Sequence, residues 1–346
     1  MPRKTLLFAL ANFALLWGCG GGGEDQAATS TGLTGTGGSG GSDSGGDWNG
    51  VFTSQGADPG GMALDGTGAN LFFASHVRNT VMRIDTATST VQDSASLPGG
   101  PIRAAVSPSR GVFVALLETG EVVRLDEDLE VAQRLRVGSQ PRSIVIDEQA
   151  STLYVALYGD DAVLALDLDT LEQRWRKSVD RGPRFLAFHG ATRNVIVGSA
   201  LTGEVSVLNQ EGSVITKRRI GLAPTSAALN TLRGTLDVSD YASGNVFEMD
   251  PATLKLVNTG QAGYGATGIG FSQAGTQAFV GNAFGDIVAR LPVGALGEGA
   301  ELPSTISVQG FSFPPGLSHG FAADYRRGFV YRFDPLAISF SGPLSQ

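Results

Sequence analysis

One short pattern recurs seven times in this chain of 346 residues: valine, two variable residues, an apolar residue and a turn former. Its last position holds Asp85, Asp126, Asp167, Asn209, Asp250, Pro292 and Asp334, at steps of 41, 41, 42, 41, 42 and 42 residues. Valine stands four residues before each anchor, at Val81, Val122, Val163, Val205, Val246, Val288 and Val330. Proline precedes the anchor by 26 residues at Pro59, Pro141, Pro183 and Pro224, and Pro101 is one place displaced. A fixed period of this length means that one supersecondary unit is repeated and that each copy buries its faces against its neighbours.

Between the markers each unit reads as short strands. In the third, Ser143 to Ile146 is apolar and β-branched, 147–152 turns, Leu153 to Leu157 is a second strand, and Gly159 to Asp161 turns again. Val163 to Leu166 is a third strand and a fourth runs around Arg174 to Val179. No segment keeps an apolar 3.6-residue period over a helical length. Four strands in a unit of about 40–45 residues make a propeller blade. The predicted fold is therefore all-β, a seven-bladed β-propeller of four-stranded antiparallel blades. Trp48 to Phe340 supplies 293 residues for it, which leaves no room for a second domain.

The second strand of each unit reads FFAS, FVAL, YVAL, IVGS, DVSD, FVGN and FAAD, beginning at Phe72, Phe113, Tyr154, Ile196, Asp237, Phe279 and Phe321. With the V-x-x-Φ-D third strand, this resembles the YVTN family of seven-bladed propellers, including its YncE-like members. The resemblance covers everything after the N-terminal fifty residues and implies the fold. It implies no single activity, because the family includes surface proteins, proposed DNA binders and relatives of lactonases. Asp237 departs from the family's aromatic position, so the fifth blade is expected to be looser. Val51-Phe52-Thr53 and Ile338-Ser339-Phe340 both fall in an outermost-strand slot, and either could complete the closing blade.

The first residues read as an export device. Arg3 and Lys4 precede an apolar run from Leu6 to Trp17, too short to span a hydrocarbon core of about 30 Å and suited to a signal-peptide h-region. Leu16-Trp17-Gly18-Cys19 resembles the bacterial lipobox, which implies cleavage before Cys19 and lipidation of its thiol. The expected organisation is a signal peptide over 1–18, a Gly/Ser/Thr-rich tether over 19–47 and the propeller over 48–346. Gly20 follows the cysteine, not an inner-membrane retention aspartate, so the expected address is the outer membrane, facing periplasm or cell surface. Gly37-Gly38-Ser39-Gly40-Gly41 matches G-x-S-x-G in form, yet a nucleophile elbow needs a strand before it and a helix after it, and this tether supplies neither.

Composition removes several function classes. A single cysteine excludes a disulfide framework, a thiolate zinc site and a C-x-x-C redox pair. Three histidines argue against histidine-rich metal chemistry, and a net charge of −8 argues against nucleic acid, whose phosphates demand a basic footprint. No cofactor and no metal are expected.

Candidate chemistry gathers where propeller ligands usually sit, on the face carrying the loops between second and third strands and the connections between blades. Nine residues before each anchor stand His76, Leu117, Tyr158, Ala200, Tyr241, Ala283 and Tyr325. The three tyrosines and the histidine would form a partial amphipathic ring around the channel mouth. Acids accompany them: Glu118, Asp160, Asp161, Asp240, Asp286 and Asp324. Arg142 and Arg184 share an offset just after a proline and could clamp a carboxylate or phosphate. His189 and His319 lie three units apart, too far to serve one nucleophile. A basic sector falls on three successive outer strands: Arg134 and Arg136; Arg174, Arg176 and Lys177; Lys217, Arg218 and Arg219. It reads either as protection of sheet edges or as a docking rim for an anionic partner, with Trp175 as a contact anchor. The expected function is a lipid-anchored, non-enzymatic binding or scaffolding module with a protein or glycan partner in the cell envelope. The alternative is a lactonase-like hydrolase or lyase using loop-face acids with His76 as general base.

Overall fold

The chain divides into two units, Met1–Gly46 and Asp47–Gln346. The computed structural model describes residues 61–344 apart from 284–286, 314, 316–317 and 325, all within the second unit. Cys19 and the expected signal and tether segments lie outside the described residues.

Seven four-stranded antiparallel sheets, each built from consecutive strands, follow one another along the chain. They span 62–96, 101–136, 141–178, 183–219, 224–261, 266–303 and 308–341, and are called blades one to seven. The third blade runs Pro141–Asp147, Thr152–Leu157, Ala162–Asp167 and Gln173–Ser178, as the sequence pattern predicts. Innermost strands of successive blades pack against one another. Burial falls outward: all of Thr152–Leu157 is buried, whereas Gln173–Ser178 is exposed apart from half-buried Trp175.

The V-x-x-Φ spacing is what makes the ring. Side chains alternate faces along a strand, so residues three apart point to opposite sides of the blade. Val81 accordingly packs with Phe72 against Val112 and Leu125 of blade two. Ile84 turns the other way, with Leu71 and Phe73, against Phe321 and Val330 of blade seven. The same division repeats around the ring and yields seven apolar clusters, one per seam. The aromatic position of the second strand shares the face of the valine, which explains why both recur together.

The anchor acid has a local job. Asp167 accepts hydrogen bonds from the backbone N–H of Asp169 and Thr170, each 2.9 Å. Asp126, Asn209, Asp250 and Asp334 make the same kind of turn with residues two to four further on. These are Asx turns, the local motif that short polar side chains favour between strands. Pro292 cannot make one, and a 3-10 turn over Leu296–Glu298 follows it instead.

Closure uses the C-terminal segment. Ser339–Ser341 is the outermost strand of blade seven, while Val51–Thr53 lies outside the described residues. Blade one takes all four of its described strands from 62–96. The seam between the first and last blades is apolar, with Met62, Leu71, Phe73, Phe321, Val330 and Leu344 in one cluster. The Ser75 hydroxyl adds a hydrogen bond of 3.2 Å to the Gly328 carbonyl across it.

Candidate functional site

Each innermost strand of blades two to seven carries an irregularity in register at the same place, beside its first residues. In blade three Pro141 pairs with Leu157 and Ser143 with Ala156, leaving Arg142 as the extra residue. Arg184 takes that slot in blade four and Thr225 in blade five. Such a bulge re-aims one side chain and ends regular pairing, and bulges concentrate beside functional sites. The proline of the repeat sits immediately before it and cannot donate to the ladder in any case. Thr225 and Thr267 use their hydroxyls to reach carbonyls of the next innermost strand, Ala266 and Val308, at 3.2 and 3.0 Å. Blades three and four place guanidinium groups there instead. Arg142 is 4% exposed and Arg184 6%.

Arg142 lies over the Tyr158 ring, 4.7 Å from its centroid. Tyr158 opens a 3-10 turn, Tyr158–Asp160, in the loop between second and third strands. His76, in the equivalent loop of blade one, is a quarter exposed and its Nε2 stands 3.3 Å from Glu118 Oε1 of blade two. Burial holds the His76 imidazole below its ordinary value, Glu118 opposes this, and the positive charge of Arg142 adds to it. Tyr241 is 1% exposed and stacks obliquely on Tyr264 at 5.9 Å. Burial raises the Tyr241 phenol well above its usual range, with Tyr264 adding to the rise and Arg326 and Arg184 pulling against it. Asp286 and Tyr325 lie outside the described residues.

The acids of this face are largely committed to backbone. Asp240, fully buried, accepts from the N–H groups of Leu222, Ala223 and Ser243. Asp324, 1% exposed, caps Arg326 and Arg327 and pairs with the Arg327 guanidinium at 3.1 Å. Asp161 accepts from Gly182 N–H at 2.8 Å. Asp160 takes Ser139 N–H and Arg176, which hold its carboxyl below the usual range although burial pushes the other way. Glu118 is the exposed exception. Among the described residues no group of three or more His, Cys, Asp or Glu side chains is placed to hold a metal ion.

The basic outer strands are edge strands, and most of their charge is answered locally. Arg134 pairs with Glu121 at 2.7 Å, Arg174 with Asp167 at 2.7 Å, Arg176 with Asp160 at 2.7 Å and Lys217 with Asp180 at 3.1 Å. Arg218 donates to the Leu254 carbonyl of blade five. Arg136, Lys177 and Arg219 are exposed and make no ion pair among the described residues. Trp175 is not an exposed anchor. Its Nε1 donates to the Gln210 carbonyl at 2.7 Å and its ring packs on Tyr154 at 5.8 Å, between blades three and four. His189 closes the innermost strand Pro183–His189, with Nδ1 2.8 Å from the Thr192 hydroxyl, and His319 sits beside Arg332.

The sequence pattern finds His76, Arg142, Tyr158, Arg184 and Tyr241 by their offsets. It misses Tyr264, which stands in a connection where no other unit repeats an aromatic residue, and the bulges, which leave no mark beyond the preceding proline.

Comparisons with known proteins agree with this architecture. Virginiamycin B lyase from Staphylococcus aureus superposes with a TM-score of 0.66 at 12% identity, covering 81% of this chain and 95% of that one. BamB from Moraxella catarrhalis superposes with a TM-score of 0.55 at 14% identity, covering 79% and 83%. At such identities the likeness is one of fold. No curated protein matches the chain in a sequence search. Among the described residues no helix is long and apolar enough to cross a membrane. The profile of the YncE-like beta-propellers, however, matches residues 53–293, and with seven V-x-x-Φ units folded into seven blades the chain belongs to the YncE-like β-propeller family.

Proposed function

We propose that this chain is a lipid-anchored cell-envelope propeller whose loop face binds a partner without transforming it. The observation that carries this is the division of labour on that face. Its buried acids are spent on backbone N–H groups, whereas Arg142 and Arg184 occupy the bulged positions of neighbouring innermost strands, with Tyr158 against Arg142. Guanidinium forks and aromatic faces recognise ligands; a covalent mechanism needs a nucleophile beside a positioned base. Cys19, in its lipobox-like setting, is the proposed attachment point, with the tether giving a reach of roughly 30 Å. Arg136, Lys177 and Arg219 on the outer strands are a second contact surface for an anionic partner of the envelope.

The test is cross-linked recovery of partners from membranes, with Cys19→Ala releasing the protein to the soluble fraction. Recovery should fall when Arg142 and Arg184 are replaced by Gln and respond less to charge reversal at Arg136, Lys177 and Arg219. A Cys19→Ala protein that stays membrane-bound removes the anchor.

A second reading, a hydrolase or lyase, is favoured by one pair. His76, kept neutral by burial and held 3.3 Å from Glu118, has the form of an oriented general base. The likeness in fold to virginiamycin B lyase is in keeping with it. Turnover of lactone or cyclic ester substrates that disappears in His76→Gln would establish this reading over the first.

A further inference from the structure

A separate cavity lies on the face away from the loop surface, where first and second strands turn. We propose that it takes a neutral aromatic molecule, a single ring with a small polar substituent, between Phe271 of blade six and the Phe311–Phe313 pair of blade seven.

The cavity is built from one repeated position. Leu229, Phe271 and Phe313 stand 21 residues before Asp250, Pro292 and Asp334, at or next to the ends of the innermost strands of blades five, six and seven. Elsewhere the position holds Leu64, Ala105, Ile146 and Phe188, so blades six and seven are the one neighbouring pair with an aromatic residue in both. These side chains, each half-buried, enclose about 230 Å³ together with Phe311, Ser272 and Leu232, the last 69% exposed in the turn after Asn230.

Three observations define the molecule that fits. The first is a ring without a ring partner. Phe311 and Phe313 stack, with planes 17° apart and centroids 6.1 Å apart. Phe271 lines the same cavity and makes no ring contact with either among the described residues. A flat ring entering the cavity supplies that contact in the offset or edge-on geometry that aromatic pairs favour.

The second is the absence of charge. Among the described residues no charged side chain lines this cavity. Clefts of about 370 and 800 Å³ elsewhere are edged by Arg290 and Glu298, and by Arg110 and Asp169. A carboxylate or ammonium brought into the aromatic cavity would lose its water without gaining a counter-ion. The third is size, with one polar handle. A cavity of about 150 Å³ holds benzene, so this one admits a ring and a short substituent. Ser272 Oγ accepts the Gln277 N–H at 3.1 Å, which leaves its hydroxyl proton to donate to an oxygen on that substituent. Asn230, on the same rim, is committed to the Gly275 carbonyl and the Arg233 N–H.

The experiment is saturation-transfer NMR and calorimetric titration of the full chain with benzyl alcohol, with cyclohexylmethanol and benzoate as probes of ring and charge. Benzyl alcohol is expected to saturate at one molecule per chain, cyclohexylmethanol to bind more weakly and benzoate not to compete. Phe271→Leu, which keeps the cavity apolar, should weaken benzyl alcohol roughly two- to tenfold, the size of one aromatic contact. Leu232→Glu should weaken it too, and because Leu232 is exposed this variant tests the cavity without disturbing the core. Val257→Ser, an exposed outer-strand change in blade five, should leave binding unchanged. Absence of saturable binding by the wild type, undiminished binding by Phe271→Leu and Leu232→Glu, or equal affinity for cyclohexylmethanol or benzoate overturns the assignment.

Discussion

Asp237 and Glu248 stand directly opposite each other on adjacent strands of blade five, both fully buried. None of their four carboxylate oxygens has a hydrogen-bond partner among the described residues. Ala228 and Val246 share their face and pack into the apolar seam with Ile269 and Leu291 of blade six. Burial, reinforced by Glu248, raises the Asp237 carboxyl well above its ordinary value, and Arg233 only partly opposes this. Burial among apolar side chains thus favours the protonated form of Asp237.

Replacing Asp237 by Ile, the residue at the same position in blade four (Ile196), should therefore stabilise the protein. An unsatisfied buried polar group costs about 1–3 kcal/mol, which is the expected gain in a urea unfolding titration. A loss of stability would mean that the acids have a partner this seam conceals.

Asp237 sets a pH dependence of unusual sign. A carboxyl whose folded value is raised binds its proton more tightly in the folded state, so its contribution is complete below pH 3.8, the unfolded value, and is lost as pH rises. The turn acids act oppositely. Arg174 and the Thr170 N–H hold Asp167 below the carboxylate range, and Thr253 does the same for Asp250, so their stabilisation fades as pH falls through that range. Unfolding curves measured at several pH values should show the rising-pH loss disappear in Asp237→Ile while the acid-side loss persists.

Asp147 and Arg193 bridge blades three and four. The Asp147 side chain is 2% exposed and takes Arg193 Nη2 at 2.8 Å and Nε at 3.2 Å. Asp147→Asn keeps the shape and removes the charge. It should lower stability by about 1–3 kcal/mol, read as a shift in denaturation midpoint with unchanged slope, and Arg193→Gln in the same background should add little.

Gly198 is required for space rather than for backbone freedom. A Cβ there would lie 1.9 Å from Phe185 Cε1, because blade four fills its interior with Phe185 on the paired strand, opposite Gly198 in register. Ala74, Ala115, Ala156 and Ala323 occupy the same second-strand position in blades one, two, three and seven. Gly198→Ala should cost about 1–3 kcal/mol from overpacking, and Phe185→Leu in the same chain should recover part of it. If the two effects simply add, the two side chains do not compete for one volume.

The ring was legible in the sequence because its determinants are local and periodic. A three-residue step between Val163 and Leu166 commits one side chain to each neighbouring blade, and Asp167 closes its own turn. Positions read by offset, such as Tyr158 and Arg142, fell on the expected face for the same reason. What the sequence leaves open depends on pairing between strands. Asp237 is visible as a departure from the aromatic pattern, yet nothing marks Glu248 as its neighbour until the register of the third strand is known. Asp240 and Asp324 look like candidate catalysts until their lone pairs are seen to be taken by backbone N–H groups. Arg174 and Arg176 look like an unopposed basic patch until Asp167 and Asp160 are found beside them.

Each described sheet is drawn from one uninterrupted stretch of chain, blade seven included, with no strand lent between the first and last. The unit that can be copied in a gene is then the same as the unit that packs in the ring. Duplication or loss of one repeat would add or remove a complete sheet with its own turns and both of its seam faces. The number of blades in such a lineage is therefore limited by the geometry of the circle, not by any need to re-pair its ends.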